Sequence, residues 1–341
     1  MSAQIELRGL TKIFGPEPGM ALRLVRDGLT KRELLDSIGH VLALNAVDLD
    51  VARGRIHVVM GLSGSGKSTL VRLVNRLIEP TAGSVRVDGR EVTMLRPDEL
   101  IELRRRTVSM VFQRFGLLPH KTVLENVAYG LAVQGLARAP RGALAAEWVE
   151  RVGLAGYAER YPAELSGGMQ QRVGLARALC VGAGILLMDE PFSALDPLIR
   201  TEMQDVLLAL QAELKKTILF ITHDLNEALR LGQRIAILRD GVIVQDAPPE
   251  EIVLKPADPH VAAFVRDINR GRVLTAGAIV TRMPVAQNAG PVIAAATTLE
   301  DAAAVLARDG VDSCIVVAPG DQVLGRLTLA EILAAMARPK P

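Results

Sequence analysis

A glycine-rich loop between a predicted strand and a predicted helix constrains the fold most strongly. The apolar run Ile56–Met60 precedes it, and residues 70–77 after it have helical apolar spacing. The loop consists of Gly61, Leu62, Ser63, Gly64, Ser65, Gly66, Lys67, Ser68 and Thr69, which together fit the phosphate-loop pattern. This strand–loop–helix context favours an α/β fold over a simple glycine-rich turn.

The loop also predicts a ligand. Its glycines let successive backbone N–H groups face phosphate oxygens. Lys67 is expected to reach the β and γ phosphates of ATP, and Ser68 to ligate Mg²⁺. We therefore expect ATP and Mg²⁺ as ligand and cofactor.

An acidic pair follows a second apolar run, residues 185–188, which is typical of a buried parallel strand. Asp189 is placed to order Mg²⁺. Glu190 is the better candidate for the general base that polarises the attacking water, because that base must lie just beyond the metal. Taken alone, the pair would also suit a polar strand end.

A second glycine-rich stretch, with Ser166 before Gly167 and Gly168, begins another predicted helix. Bare N–H groups at a helix start favour an anion. Two phosphate sites in one chain suggest that one nucleotide is held between two subunits.

Composition limits the alternatives. A length of 341 residues allows two or three domains, and a net charge of +2 argues against a nucleic-acid partner. The basic run at residues 104–106 is interpreted as a solvated helix face or, alternatively, the rim of a partner site. Cys180 and Cys314 lie in apolar surroundings and are expected to be reduced core residues.

With these residues in place, the chain resembles the ATP-binding subunit of ABC transporters over about residues 4–265. The resemblance implies an ABC-type P-loop ATPase at residues 1–268, with a mixed or parallel sheet core. A helical subdomain is expected at about residues 95–175. Strand–helix alternation from about 177 to 240 agrees, and Asp240-Gly241 predicts a hairpin turn.

The resemblance also assigns roles to single residues. Gln113 matches the glutamine that touches Mg²⁺ and senses the membrane partner, and His223 matches the histidine that fixes the γ phosphate. With Glu190 they form the expected catalytic group, and with Ser68 and Asp189 Gln113 completes the expected Mg²⁺ ligands. Taken alone, Gln113 would suit a solvated loop and His223 a protein core.

Further residues are expected to bind ATP by the same resemblance. Phe14 takes roughly the place of the aromatic that stacks on adenine, with core packing as its alternative. A second copy, arranged head to tail in a homodimer, is expected to contact the nucleotide through Ser166, Gly167, Gly168, Gln170 and Asp196.

An insert at about residues 15–40 carries a more specific resemblance. Within it, residues 30–33 predict a capping box, residues 34–38 a short helix, and Gly39 its end. This insert and the run at residues 192–204 are similar to the quaternary-amine uptake subfamily, which imports glycine betaine and proline. Alternatives are an importer for another small solute, such as an amino acid, and a soluble ABC ATPase of repair or translation.

The resemblance implies partners and a location. No export signal and no apolar run of membrane-spanning length are found in the sequence, so separate permease subunits would supply the pore. A solute-binding protein would act indirectly. The chain is expected to be peripheral, on the cytoplasmic face of the inner membrane.

The composition changes after about residue 270, and residues 273–341 resemble a single CBS module with a small α+β fold. Residues 276–284 begin the new unit, and residues 298–306 predict a capped amphipathic helix. Strands are predicted at residues 313–317 and 323–327. Glu331 stands where nucleotide-binding modules often carry aspartate, so a regulatory role and a packing or dimerisation role both remain open.

Overall fold

The computed structural model describes residues 3–113, 115–281 and 290–337. It divides into two compact units. One comprises the residues up to Asp224 together with Ala236–Val244, and the other comprises Leu225–Ile235 together with the residues from Gln245 onward. This division does not coincide with the predicted boundary near residues 268–273. The assignment of residues 1–268 and 273–341 to two domains stays a prediction.

The strands form three sheets, with orders β2-β1-β4-β5, β10-β9-β3-β8-β7-β6 and β11-β12-β13. In chain order they are β1 (Ala3–Phe14), β2 (Val41–Ala52), β3 (Ile56–Met60), β4 (Ala82–Val87), β5 (Arg90–Glu91), β6 (Val108–Val111), β7 (Ile185–Asp189), β8 (Thr217–Thr222), β9 (Arg234–Arg239), β10 (Val242–Ala247), β11 (Val292–Ala294), β12 (Ser313–Val317) and β13 (Val323–Thr328).

Helices cover or connect these strands. They are α1 (Pro18–Arg26), α2 (Lys31–Ile38), α3 (Lys67–Val74), α4 (Pro97–Glu102), α5 (Val123–Val133), α6 (Arg138–Arg151), α7 (Gly167–Cys180), α8 (Pro197–Leu214), α9 (Leu225–Leu231), α10 (Pro249–Leu254), α11 (Pro259–Val265), α12 (Arg270–Val273), α13 (Ala276–Ile279), α14 (Leu299–Asp309) and α15 (Leu329–Met336). Short 3₁₀ turns lie at Val92–Met94 and Pro162–Glu164, and a π-helical turn at Leu103–Thr107.

The six-stranded sheet positions the candidate site. Strands β3, β8, β7 and β6 run parallel, and every residue of β3, β7 and β8 is buried. Burial on both faces explains why these strands could be predicted as continuous apolar runs. The phosphate loop and His223 follow β3 and β8, and the acidic pair lies at the end of β7, with Asp189 as its last residue. Because carboxyl ends of parallel strands share one edge, the sheet brings the three segments together.

The insert lies between β1 and β2, which pair antiparallel from Ala3 to the partners Phe14 and Val41. Helix α2 confirms the predicted capping box, and Gly39 ends it with a φ of 67°. Helix α1, which begins with a proline, was not predicted. Both helices pack on the hairpin through a small buried cluster.

Helices α5, α6 and α7 pack against one another within the predicted helical region. The basic run before them has a structural task that the sequence did not indicate. Arg104 donates hydrogen bonds to the carbonyls of Asn75 (3.0 Å) and Arg76 (2.7 Å) at the end of α3. All three arginines are exposed, in agreement with the predicted solvated face, and Arg105 and Arg106 pair with exposed Glu102.

The C-terminal segment of the second unit has the order β11-α14-β12-β13-α15. Thr298 caps α14, and the predicted strands are present as β12 and β13. Glu331 accepts hydrogen bonds from the backbone N–H and hydroxyl of Thr328, forming a capping box for α15. Residues 282–284 of the predicted start lie outside the described residues.

Candidate nucleotide site

The phosphate loop needs glycine for steric reasons. Gly66 has a φ of 106°, in a region that L side chains rarely adopt, and a Cβ there would lie 2.3 Å from the carbonyl oxygen of Ala43. The loop therefore passes directly over the start of β2 before Lys67 begins α3. This path places the first N–H groups of α3 at the cavity described below.

Lys67 is held among oxygen atoms in a buried position. Its side chain is 4% exposed, its Nζ donates to the carbonyl of Leu62 (3.0 Å), and it lies 3.6 Å from Oε1 of Glu190. Burial lowers the pKa of Lys67, whereas the Glu190 carboxylate acts in the opposite direction. An oxygen-lined, partly desolvated ammonium is well suited to binding a phosphate.

A hydroxyl and a carboxylate meet beside the loop. The Ser68 hydroxyl donates to Oδ1 of Asp189 at 2.7 Å, and Arg72 lies 3.3 Å from the other carboxylate oxygen. Oxygen ligands of this kind suit Mg²⁺, which also takes ligands from substrate phosphates. Arg72 was not predicted as a site residue. Its signal was the spacing from Ser68, because residues i and i+4 share a helix face.

Glu190 is oriented by backbone and side chain together. It has a φ of 47°, its N–H donates to the carbonyl of Ile221 (3.1 Å), and its Oε2 lies 2.9 Å from Nδ1 of His223. An ionised carboxylate only accepts hydrogen bonds, so this hydrogen bond requires the His223 tautomer that carries a proton on Nδ1. One carboxylate thus faces Lys67 through Oε1 and His223 through Oε2.

Gln113 is connected to the same carboxylate residue through Ser193. Its side-chain amide donates to the Ser193 hydroxyl (3.4 Å), and that hydroxyl donates to the backbone carbonyl of Glu190 (2.9 Å). Gln113, Glu190 and His223 are therefore brought into one group, as the sequence predicted. Their catalytic roles stay predictions.

A cavity of about 390 Å³ lies beside the loop, and Gln113, Glu190, Lys67 and Phe14 are among its lining residues. This volume is within the usual range for small-molecule sites. Phe14 is 40% exposed, with the ammonium of Lys12 4.9 Å from its ring centroid. This exposure argues against core packing for Phe14, and its stacking on adenine stays a prediction.

The second glycine-rich segment does not line this cavity. Ser166 and Gly167 are exposed at the start of α7, where the Ser166 hydroxyl accepts from the N–H of Met169. Gly168 packs tightly on α8, because a Cβ there would lie 2.5 Å from Ile199. The start of α7 is therefore exposed at Ser166 and Gly167, as an intersubunit site requires.

Two residues predicted to act on the nucleotide of a second copy have local partners. The Gln170 amide donates to the carbonyls of Pro162 and Leu165, at 3.0 and 3.2 Å. Asp196 accepts from the N–H groups of Leu198 and Ile199 and so caps α8. These hydrogen bonds hold Gln170 and Asp196 in place at the starts of α7 and α8. Their roles in ATP binding stay predictions.

Sequence reasoning missed two further basic residues. Lys31, from the insert, lines the same cavity as Lys67. Arg177, from α7, donates to the carbonyls of Phe115 (2.9 Å) and Gly116 (2.7 Å), and so ties the segment after Gln113 to the helix that Ser166 begins. No local pattern marks either residue, because each acts on a segment distant in sequence.

Comparison with known proteins identifies the family to which these motifs belong. A family model for ABC transporters matches residues 44–193. The glycine betaine/carnitine transport ATP-binding protein GbuA of Listeria monocytogenes is 54% identical over 280 residues, which cover 82% of this chain and 70% of GbuA. The trimethylamine N-oxide transport system ATP-binding protein TmoW of Ruegeria pomeroyi is 50% identical over 326 residues, covering 96% of this chain and 95% of TmoW.

A solved structure shares the fold. The dimeric structure of a post-hydrolysis state of the ATP-binding cassette MJ0796, bound to ADP and Pi, is 34% identical with a TM-score of 0.61. It covers 72% of this chain and 98% of the cassette. The relatives, the matched motifs and the geometry around Lys67 lead to one conclusion. The chain belongs to the ATP-hydrolysing, nucleotide-binding subunits of ABC transporters.

Proposed function

We propose that this chain hydrolyses ATP, bound with Mg²⁺, to drive the uptake of glycine betaine, proline betaine or a related osmoprotectant. The proposed solute class is supported by the 54% identity to a glycine betaine/carnitine transport ATP-binding protein. Two further relatives, the ProV proteins of Salmonella typhimurium and Escherichia coli, are named for glycine betaine/proline betaine transport and are 50% identical.

The phosphate loop would hold the triphosphate through its N–H groups and Lys67. Ser68, Asp189 and Gln113 would hold Mg²⁺, which neutralises charge on the β and γ phosphates when bound. Arg72 keeps the Asp189 carboxylate turned toward Ser68. The support for this proposal is the oxygen pair of Ser68 and Asp189 beside a buried lysine.

Glu190 would orient and deprotonate the attacking water. Its contacts with His223 and Lys67 would have different roles in this step. His223 fixes the carboxylate in place, and Lys67 is free to exchange its 3.6 Å contact with Glu190 for phosphate oxygens. Once Lys67 contacts the nucleotide instead, Oε1 of Glu190 would be available to the attacking water.

A second copy of the chain would complete the site. Its Ser166, Gly167 and Gly168 would bind the γ phosphate, with Gln170 and Asp196 at the same edge. The dimeric ATP-binding cassette that shares this fold supports the proposal, as does the exposure of Ser166 and Gly167 away from their own cavity. Closure of two copies would exclude water from both sites.

Membrane permease subunits would receive the resulting motion through the segment around Gln113. Among the described residues, no helix is long and apolar enough to cross a bilayer. The proposed location is peripheral, on the cytoplasmic face of the inner membrane, with a solute-binding protein acting through the permease.

Trimethylamine N-oxide is a second candidate solute. The TmoW relative matches 96% of this chain and 95% of its own length, whereas GbuA matches 82% and 70%. This match over nearly the whole of both chains is the observation that supports trimethylamine N-oxide as the second candidate. Both solutes carry a trimethylated nitrogen, so one permease chemistry would suit either.

Uptake measurements on cells that lack only this chain test the proposal. We expect loss of labelled glycine betaine uptake, restored by the wild-type chain and not by Lys67→Ala. Loss of trimethylamine N-oxide uptake alone would assign the second candidate. Unchanged uptake of both would contradict the proposed solute class.

A further inference from the structure

The insert is built as a rigid element. The capping box joins Thr30 and Glu33, with the backbone N–H of Thr30 donating to the Glu33 carboxylate at 2.8 Å. Leu34 of α2 is fully buried against the hairpin residues Ile13 and Leu42. His40 closes the insert, since its ring nitrogens lie 2.8 Å from the carbonyl of Ile38 and 3.4 Å from the N–H of Glu17. Lys31, the first residue of α2, therefore has a fixed position.

The ammonium group of Lys31 lies at the phosphate loop. Nζ donates to the carbonyl of Gly64 at 3.3 Å and lies 3.8 Å from the carboxylate of Asp240. The Lys31 side chain is 33% exposed, whereas that of Asp240 is 76% exposed. A long contact to an exposed carboxylate is weak and easily exchanged.

We propose that Lys31 is a nucleotide-binding residue whose ammonium contacts the triphosphate from the side of the insert. The proposal rests on the proposed function, because it assumes that ATP occupies this cavity. Lys31 lines the cavity together with Lys67 and Ser68, so it adds a second lysine charge facing the same space. Anionic phosphate oxygens are stronger partners for an ammonium than the neutral carbonyl of Gly64.

The neighbouring residue Arg32 provides a matched control. It carries the same charge on the same helix, but its side chain is 91% exposed and pairs with Asp36 at 3.6 Å. It does not line the cavity. Removing either charge changes the net charge equally, so a difference between the two variants reports contact with the nucleotide.

The test is the dissociation constant of the full-length chain for MgATP, measured by calorimetry at several salt concentrations. For Lys31→Met we expect binding weaker by about three- to tenfold at low salt, with the difference shrinking as salt rises. Lys31→Arg should bind like the wild type, and Arg32→Met should lie within about twofold of it. The unfolding midpoint of Lys31→Met should be unchanged.

Several results would overturn the proposal. They are wild-type affinity in Lys31→Met, an equal loss in Arg32→Met, and a salt-independent loss with a lowered unfolding midpoint. The last result would make Lys31 an anchor of the loop. Lys67→Ala separates this question from the proposed function. If Lys67→Ala still binds MgATP like the wild type, the nucleotide site itself is wrongly assigned.

Discussion

Each polar residue at the cavity has its own proposed role, and Glu190 has the most constrained conformation among them. Its backbone occupies the left-handed region, which is uncommon for a residue other than glycine, and both carboxylate oxygens have partners. Strain of this kind persists only where surrounding structure enforces it. Here the hydrogen bond to Ile221 of β8 does so.

Glu190→Gln should lower the turnover number for ATP by about 10²–10⁴-fold, because an amide cannot accept the proton of the attacking water. The side chain keeps its size and an acceptor for His223, so MgATP affinity should remain. Steady-state ATPase and equilibrium binding measure the two effects. Wild-type turnover in this variant would remove Glu190 from the role of base.

Gln171 is a residue whose burial has a stability cost. It is completely buried in α7, and neither polar atom of its amide has a hydrogen-bond partner among the described residues. Replacing such a group with an apolar one of similar shape removes its desolvation penalty, which is about 1–3 kcal/mol. Gln171→Met should therefore leave the free energy of unfolding unchanged or raise it.

Gln211 is the matched control for this prediction. It is also a buried helical glutamine, but its amide donates to the carbonyls of Gly54 (2.8 Å) and Lys216 (3.3 Å). Gln211→Met should lower the free energy of unfolding by about 1–3 kcal/mol, because two carbonyls lose their donor. Denaturant unfolding of both variants compares them, and equal destabilisation would contradict the distinction.

At the scale of elements, α7 joins the two halves of the proposed mechanism. Its first residues are the proposed anion site, and Arg177 on the same helix holds the segment after Gln113. A movement that brings Ser166 to a second copy would therefore also move the backbone of Phe115. This connection offers a physical route from nucleotide closure to the permease.

Ser166→Arg should leave ATP binding by the isolated chain intact, while ATP-dependent dimerisation and hydrolysis are lost. The long cation would occupy the space where the second nucleotide meets α7. Loss of the Ser166 cap should also cost about 1 kcal/mol of stability. Ser166→Asn, which retains a capping oxygen, serves as the control. Light scattering with ATP measures dimerisation, and a normal dimer in the arginine variant would contradict an intersubunit role.

The sequence predicted the elements of the site better than their connections. Strands β3 and β8 could be predicted from their continuous apolar runs, and helix α2 from its capping box. Local sequence alone determines these features. Helix α1 was missed, since it begins without a side-chain cap and has only one buried residue. Lys31 and Arg177 act through tertiary contacts, which spacing along the chain does not encode, whereas Arg72 was marked by its spacing from Ser68 on one face of α3.

For the whole molecule, the role of the C-terminal segment is the main open proposal. Helix α12 packs with α10, α14 and α15, so any truncation that removes α14 and α15 breaks part of this packing. A cut after Leu274 keeps α12 and its contact with α10. The prediction from the CBS resemblance is that the truncated chain retains ATPase activity and solute uptake but loses their dependence on ionic strength.

The measurement is uptake and ATPase across a range of salt concentrations, beside the unfolding midpoint of the truncated chain. An unchanged salt dependence would contradict regulation by this segment. Loss of all ATPase activity, together with a lowered midpoint, would make it a structural support instead. The wild-type chain at matched concentration is the control.

The hairpin pairing of Phe14 with Val41 has a consequence for protein engineering. The insert begins and ends next to two residues that pair with each other across the hairpin. Its two ends are therefore already close in space. Replacing residues 15–40 with a tight turn should keep β1 and β2 paired, because a short connection closes the same gap at lower entropic cost, but it would expose Ile13 and Leu42, which the insert covers. No such freedom exists between β7 and β8, where a slip of one residue, about 3.3 Å, would separate Glu190 from His223.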